Sequence, residues 1–334
     1  MRKFFAASCA ALLLLTGCSS NETQTEDETG KSEMVKIGIT QIVEHPSLDE
    51  NRRGFIAALK DAGYENKKNL LIDYQNAQDD MNNSISIGQK LVGDKNDLIL
   101  AISTPSALSA VKAAEGTDIP VVFSAVTDPM DANLVTDYDK PGGNVTGVSD
   151  MDPDNFYHAV KAIKDFYPNA KKVGVLYNSG EQNSVQTFAV VEKHMQELGL
   201  EAVKASASRS SEVQQAAESL IGQVDAFAYF QDNTVASALE SVIKLANEHQ
   251  IPFFAGDVDS VKRGAFAAYG FEQYDMGYKA GQIAVEILNG KKVGDIPVVF
   301  PEGVQLYIHE QTAELLGLEL TPEQTQDAVI VGKE

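Results

Sequence analysis

The sequence predicts an α/β protein made of two doubly wound parallel-sheet lobes. Three observations carry that expectation. From Val35 onward, short β-rich runs alternate with stretches of helical period, the mark of βαβ units and a parallel sheet. The alternation runs through once and then recurs with matching glycines and a matching Ile-Pro step. The chain has 334 residues, 43% of them hydrophobic. At roughly 100–200 residues per domain, that is enough for two cores.

The first segment reads as an address. Arg2 and Lys3 give a positive start, Phe4 to Leu15 is an apolar run too short to span a bilayer as a helix, and Leu15-Thr16-Gly17-Cys18 closes it. Residues 1–17 resemble a bacterial lipoprotein signal, with Cys18 as the lipidated first residue of the mature chain; an ordinary secretory signal with a chance cysteine is the alternative. Cys9 leaves with the signal, so the mature chain has no disulfide and its stability has to come from packing. Residues 18–33 are polar and mostly acidic (Glu22, Glu26, Asp27, Glu28, Glu33), which predicts a flexible tether. No later run is long and apolar enough to span, so the expected form is a soluble body anchored at its end.

In the body, Val35 to Thr40 reads as a strand. Ser47 offers an N-cap with Glu50 three residues on, and Phe55, Ile56 and Leu59 form an apolar stripe that ends at Gly63. Leu70 to Tyr74, Leu98 to Ile102 and Val121 to Ser124 are the next strands, with helices near 82–92 and 105–114. The second pass has strands at Val173 to Leu176, Ala202 to Ala205, Ala226 to Phe230 and Pro252 to Ala255, with helices near 184–198, 211–221 and 235–249. Gly38 is as far from Gly174 as Gly63 is from Gly199, and Ile119-Pro120-Val121 recurs as Ile251-Pro252-Phe253 at nearly the same separation. Convergence of two βαβ halves is the alternative to duplication, and it leaves the lobes standing.

Pro141 to Gly147 is the richest turn chemistry between the passes and reads as the first crossing. Beyond Gly264, a strand at Ala265 to Tyr269 leads to a helix through Tyr274 and Leu288, stopped at Gly290. Its small residues Gly277, Ala280, Gly281 and Ala284 suit close packing on a sheet. Val298 to Phe300 and Val304 to Ile308 read as further strands, followed by a short helix and a terminal Ala328 to Val331.

The balance of 27 basic against 48 acidic residues, net −21, excludes holding nucleic acid by charge. There is no phosphate-binding Gly-x-x-x-x-Gly-Lys-Ser/Thr, no dinucleotide Gly-x-Gly-x-x-Gly after a strand, no Gly-x-Ser-x-Gly elbow and no His-Glu-x-x-His. His45, His158, His194, His249 and His309 stand alone, so neither a metal nor a cofactor is expected. Thiol catalysis is excluded once Cys9 is removed and Cys18 blocked. Carboxylates abound, but no spacing selects an acid/base pair.

Ligands of open α/β sheets sit beyond the carboxyl ends of the strands. Those loops are Gln41 to Ser47, Ser103 to Ser106 and Ser124 to Pro129, then Tyr177 to Glu181, Gln231 to Thr234 and Gly256 to Asp259. The first set offers hydroxyls and a helix N-terminus at Ser103 and Thr104; the second offers carboxylates at Asp232 and Asp257. That asymmetry suits a zwitterion, its carboxylate on free N–H groups and its ammonium on an aspartate. Ser, Thr and Asp are equally the standard helix caps. Arg52, Arg53, Arg209 and Arg263 all lie outside these loops, which favours a singly charged or neutral ligand over a phosphate or dicarboxylate. Phe123, Tyr177, Phe230 and Phe254 flank the loops, as stacking partners or as core.

A lipobox followed by Lys36-Ile37-Gly38-Ile39-Thr40, Ile102-Ser103-Thr104-Pro105, Ala125-Val126-Thr127-Asp128-Pro129, Gly143-Asn144-Val145-Thr146-Gly147-Val148-Ser149 and Tyr274-Asp275-Met276-Gly277-Tyr278 resembles the ABC-transporter substrate-binding lipoproteins that bind tryptophan or tyrosine. The resemblance covers nearly all of the mature chain. It implies a type I periplasmic-binding fold with three crossings, in which the helix from about Gln273 to Asn289 returns to the first lobe. The lobes are then 34–147 with 273–296, and 148–272 with 297–334. It implies no enzyme activity and no cofactor. The expected partners are an amino acid (tryptophan, then tyrosine or another apolar one), a permease with its ATPase and, through the lipid, the membrane; a monomer is expected. The candidate contacts are Gln41, Ser103, Thr104, Thr127, Asp128, Ser149, Tyr177, Asn178, Glu181, Asp232, Asn233 and Asp257. A sensor subunit serving a receptor kinase and a secreted enzyme using cleft carboxylates are the competing readings.

Overall fold

The computed structural model describes residues 34–150 and 153–333, so the signal, Cys18 and the tether lie outside the described residues. The first sheet contains β1 (Val35–Gln41), β2 (Leu70–Asn76), β3 (Leu98–Ile102), β4 (Val121–Val126) and β5 (Val145–Ser149), all parallel in the order β2-β1-β3-β4-β5. Helices α1 (Pro46–Asp61), α2 (Met81–Gly93) and α3 (Thr104–Ala114) link the first four strands, and α4 (Pro153–Phe166) leads to the second sheet. That sheet contains β6 (Lys172–Tyr177), β7 (Glu201–Ser206), β8 (Ala226–Ala228), β9 (Phe253–Phe254), β10 (Ala267–Gly270), β11 (Gln305–His309) and β12 (Ala328–Val331), ordered β12-β11-β10-β9-β8-β6-β7. Its β10–β11 pair is antiparallel. Helices α5 (Gln182–Glu197), α6 (Ser210–Leu220), α7 (Asn233–Ser237), α8 (Leu239–Glu248) and α9 (Val258–Lys262) join its strands. Between β10 and β11 runs α10 (Gln273–Leu288) with a 3-10 turn at Val293–Asp295, and α11 (Glu310–Leu315) and α12 (Pro322–Thr325) lie between β11 and β12. No helix among the described residues is long and apolar enough to cross a membrane.

Continuous apolar strands require both faces to be covered. In β3, Leu98, Leu100 and Ile102 pack with Phe55 and Leu59 of α1, while Ile99 and Ala101 face Leu91 of α2 and Ala107 and Ala110 of α3. The second sheet is covered likewise, by Val213, Leu220 and Val242 on one side and by Val160, Phe188 and Val191 on the other.

The repeat in the sequence corresponds to equivalent positions in space. Gly38 and Gly174 sit in β1 and β6, each beside the edge strand of its sheet, where a Cβ would come within 2.9 Å of Leu91 and 2.6 Å of Leu220 respectively. Gly63 and Gly199 end α1 and α5 with φ of +89° and +69°. The carbonyls of Pro120 and Pro252 each accept a strand N–H at 2.9 Å, from Ile99 and Phe227.

Several elements differ from the sequence reading. Helix α1 begins at Pro46, which fits a first helical position, so Ser47 lies inside the helix and its hydroxyl is free for other work. Val145 to Gly147, read with the turn, belong to β5: the turn is confined to Gly142 and Gly143, both at positive φ. Helix α4 was not anticipated. The helix expected over 235–249 is two helices broken at Ala238. Val298 to Phe300 is not a regular strand: it makes one parallel bridge, Val148 to Val299, beside β5. The glycines of α10 meet a helix rather than a sheet. A Cβ on Gly277 would lie 1.8 Å from the Asn51 carbonyl oxygen, and one on Gly54 1.9 Å from that of Tyr274, so α1 and α10 touch backbone to backbone. The sheet is met by the neighbouring Ala280, Ile283 and Ala284, which pack with Val122 and Val148.

Candidate ligand-binding site

The carboxyl ends of both sets of parallel strands converge on one cleft of about 570 Å³, open to solvent at its mouth. From the first sheet come His45, Ser47 and Leu48 after β1, and Ala125 and Thr127 at the end of β4. The second contributes Asn183, Tyr229, Gln231, Asp232, Asn233 and Asp257, with Phe271 after β10. Asp150, after β5, and Gln273, opening α10, stand where the chain passes between the sheets. Ala125 and Gln231 hold positive φ of 53° and 45°, and so does Ser103 (87°), just after β3. For residues other than glycine this is a strained backbone, of the kind that clusters at functional sites.

Asp257 caps α9 through the Ser260 N–H and also accepts from Ser47 across the cleft at 2.6 Å and from the Tyr229 hydroxyl. Burial alone would raise its pKa, but these hydroxyls hold it below the usual carboxylate range. Asp232 caps α7, accepting from Val235 N at 2.8 Å, from Asn178 N at 2.5 Å and from the Ser184 hydroxyl. Burial, with Glu181 nearby, pushes it up. Asp150 is pushed up to about 7 by burial, against the help of the Gln273 amide. Burial also lowers the His45 pKa, outweighing the pull of Asp257, so the imidazole is neutral. Among the described residues no Lys or Arg lines the cleft. Its chemistry is therefore that of an acceptor-rich, negatively biased slot with apolar walls at Leu48, Phe271 and Ala236 and an aromatic ring at Tyr229.

The candidates from the sequence divide into two groups. Thr127, Asp232, Asn233 and Asp257 line the cleft. The other eight stand outside its wall. Gln41 is buried between Val43, Asp49 and Arg52. Ser103 and Thr104 open α3, Thr104 accepting from Thr127 N at 3.4 Å, and Ser149 donates to the Thr127 carbonyl at 3.1 Å. Asp128 ties its own turn through Met130 N, Asp131 N and the Tyr138 hydroxyl. Tyr177 packs on Phe188 with ring centroids 5.3 Å apart. Asn178 and Glu181 support the loop behind Thr234. Phe123, Phe230 and Phe254 are core residues.

The sequence reading missed His45, Asp150, Tyr229, Phe271 and Gln273 as wall residues. Asp150 follows Ser149 at a strand end, a position the loop search reaches only if β5 is recognised.

Segments that follow strands of the two sheets also touch each other directly. The Thr234 hydroxyl lies 3.0 Å from Asp79 Oδ1, on the opposite side of the cleft, and 2.9 Å from Glu181 Oε1. Gln182 reaches the Asp131 carbonyl at 3.1 Å.

Comparison with known proteins places this geometry. Residues 36–330 match the family of ABC transporter substrate binding proteins. A tyrosine-binding protein of Clostridioides difficile is 44% identical over 317 residues, 94% of this chain and 91% of that one. A conserved domain protein of Vibrio cholerae superposes with a TM-score of 0.85 at 38% identity, over 90% of this chain and all of its own. An ABC domain from Streptococcus pneumonia in complex with L-Trp gives 0.83 at 33% identity, over 89% of this chain and 99% of that one. The ligand-free, open structure of a Clostridium difficile substrate-binding protein with adhesive properties gives 0.65 at 40% identity, over 90% of this chain and 100% of that one. These relatives bind solutes and are not enzymes, and their fold is the bilobal one of the periplasmic-binding type. The chain belongs to the ABC transporter substrate-binding protein family.

Proposed function

We propose that this protein is the lipid-anchored, extracytoplasmic receptor of an ABC importer for aromatic amino acids, taking L-tyrosine and L-tryptophan between its lobes. The observation that carries the reading is the cleft wall itself: buried carboxylates and amides, apolar and aromatic faces, and no lysine or arginine among the described residues. Such a wall accepts an ammonium and an aromatic ring, and it repels phosphates and dicarboxylates. The 44% identity to a tyrosine-binding protein and the L-Trp complex of a relative support the same ligand class.

In this reading the protein works by population shift. A ligand that touches both lobes stabilises the closed form by its differential contacts, and closure presents the two lobe surfaces together to a permease. ATP hydrolysis belongs to the partner. The contacts of Ser47 with Asp257 and of Asp79 with Thr234 are those of a closed form. The higher TM-score with the L-Trp complex than with the open relative, despite lower identity, fits that arrangement. Cys18 carries the lipid and residues 18–33 the tether.

Calorimetric titration of the purified body with L-tyrosine and L-tryptophan tests the ligand class. Saturable binding of both, with glutamate and leucine binding far more weakly, is the expected outcome. Equal affinity for all four, or heat from none, would remove the proposal.

A further inference from the structure

A buried carboxylate is costly unless its oxygens find donors. Of the three in the cleft wall, two are fully engaged by the protein. Asp257 Oδ1 takes Ser47 Oγ at 2.6 Å and Ser260 N at 2.8 Å, and its Oδ2 takes the hydroxyls of Ser260 and Tyr229. Asp232 Oδ1 takes Val235 N at 2.8 Å, and its Oδ2 takes Asn178 N and Ser184 Oγ. Asp150 differs. It is only 7% exposed, its Oδ2 accepts the Gln273 amide at 3.2 Å, and its Oδ1 has no partner among the described residues.

Neutral acceptors share that condition. Among the described residues, Gln231 Oε1 and Asn183 Oδ1 also lie buried without a donor in the wall of the same cleft, as do the ring nitrogens of His45. Their amide nitrogens are committed, Gln231 Nε2 to the Asp150 carbonyl at 3.1 Å and Asn183 Nδ2 to the Gln231 carbonyl at 2.9 Å, which fixes the oxygens as the free ends. The Asp150 side chain is oriented by a relay from Asn51, whose amide donates to Gln273 Oε1 at 2.9 Å. Its backbone N–H is held by the Val126 carbonyl at 2.7 Å. One carboxylate oxygen and two carbonyl oxygens, held rigidly and lacking donors, match a cation with several N–H bonds.

We propose that Asp150, assisted by the side-chain carbonyls of Gln231 and Asn183, receives the α-ammonium group of the ligand and restricts the cleft to ligands carrying a primary amine. The assignment rests on the amino-acid reading above and displaces Asp232 and Asp257, which serve as helix caps. It also gives the ammonium a place where the chain passes between the sheets, so that binding there ties β5 of one lobe to Gln231 of the other.

The test compares wild type with Asp150→Asn, using L-tyrosine and its deaminated analogue 3-(4-hydroxyphenyl)propionate. Removing one member of a buried charge pair predicts a loss of about 100-fold in L-tyrosine affinity, with the analogue bound at least as well by the variant as by wild type. A cooperative melting transition of the ligand-free variant shows that it is folded. L-tyrosine bound by the variant within about threefold of wild type overturns the assignment while leaving the amino-acid reading intact. A wild type that binds no aromatic amino acid overturns both. A crystal structure of the wild-type L-tyrosine complex needs no variant: the ammonium on Asp150 Oδ1 is expected, and an ammonium on Asp232 or Asp257 defeats the proposal.

Discussion

Asp257 and Asp79 are both carboxylates that meet a hydroxyl across the cleft, yet they respond to pH in opposite directions. Asp257 is held below its ordinary pKa of 3.8 by hydroxyl donors. Its contribution is therefore fully present above 3.8 and is lost as pH falls through the lower folded value. Asp257→Asn removes the charge that four donors share and should cost about 3 kcal/mol in urea unfolding at neutral pH. Asp79 is pushed up to about 6, by burial first and then by Glu181. Its environment favours the protonated form, so its contribution is present below 3.8 and is lost as pH rises through about 6. The Thr234 hydroxyl has one proton for two carboxylates, and the charged groups around Asp79, namely Glu181, Asp80 and Arg209, include a single cation. Melting temperatures of wild type should fall between pH 5 and pH 8 by more than those of Asp79→Asn, whose amide stays neutral and can donate. Parallel pH profiles for the two would refute the role given to Asp79.

At the scale of elements, strands buried on both faces were the most legible part of the sequence, because continuous runs such as Leu98 to Ile102 have no other use in a soluble chain. The helices beside them followed from glycine stops at Gly63 and Gly199, both at positive φ. β5 was obscured because Gly142 and Gly143 extend a turn signal into Val145-Thr146-Gly147. With it went Asp150, the wall residue at its end. The cleft was half legible for a related reason: Asp232 and Asp257 use the same chemistry to cap helices as to hold a ligand, and only the partners brought in by folding show how their oxygens are occupied. Ser47 meets Asp257 from a distant part of the chain, which no local pattern foretells. The contact of α1 with α10 is a sharper case, since the sequence assigns Gly277 to packing on a sheet and no local pattern marks Gly54 as part of a helix contact. Gly277→Ala would drive a methyl group to within 1.8 Å of the Asn51 carbonyl. It should destabilise the fold by about 3 kcal/mol, read as a lower urea midpoint. A midpoint equal to wild type would mean that the helices can move apart without loss.

For the whole molecule, the proposed receptor joins a lipid-bearing N-terminus, a tether and a body that closes on its ligand. Cys18→Ser should release the protein from the membrane fraction into the soluble one without altering ligand affinity, since the described wall residues of the cleft all fall between His45 and Gln273. Ligand bound only by the folded state should raise stability by about 2.7 kcal/mol at a hundredfold excess over its dissociation constant. The strongly acidic composition keeps such a body soluble and discourages anionic ligands.

The central claim is that the cleft holds an aromatic amino acid, and composition makes it directly visible: the chain has 11 tyrosines and no tryptophan. L-tryptophan titrated into the protein under tyrosine excitation becomes the indole acceptor in an otherwise indole-free solution. The account predicts saturable, blue-shifted ligand emission that L-tyrosine displaces and leucine does not. Emission that rises linearly with ligand and is unaffected by L-tyrosine would contradict it.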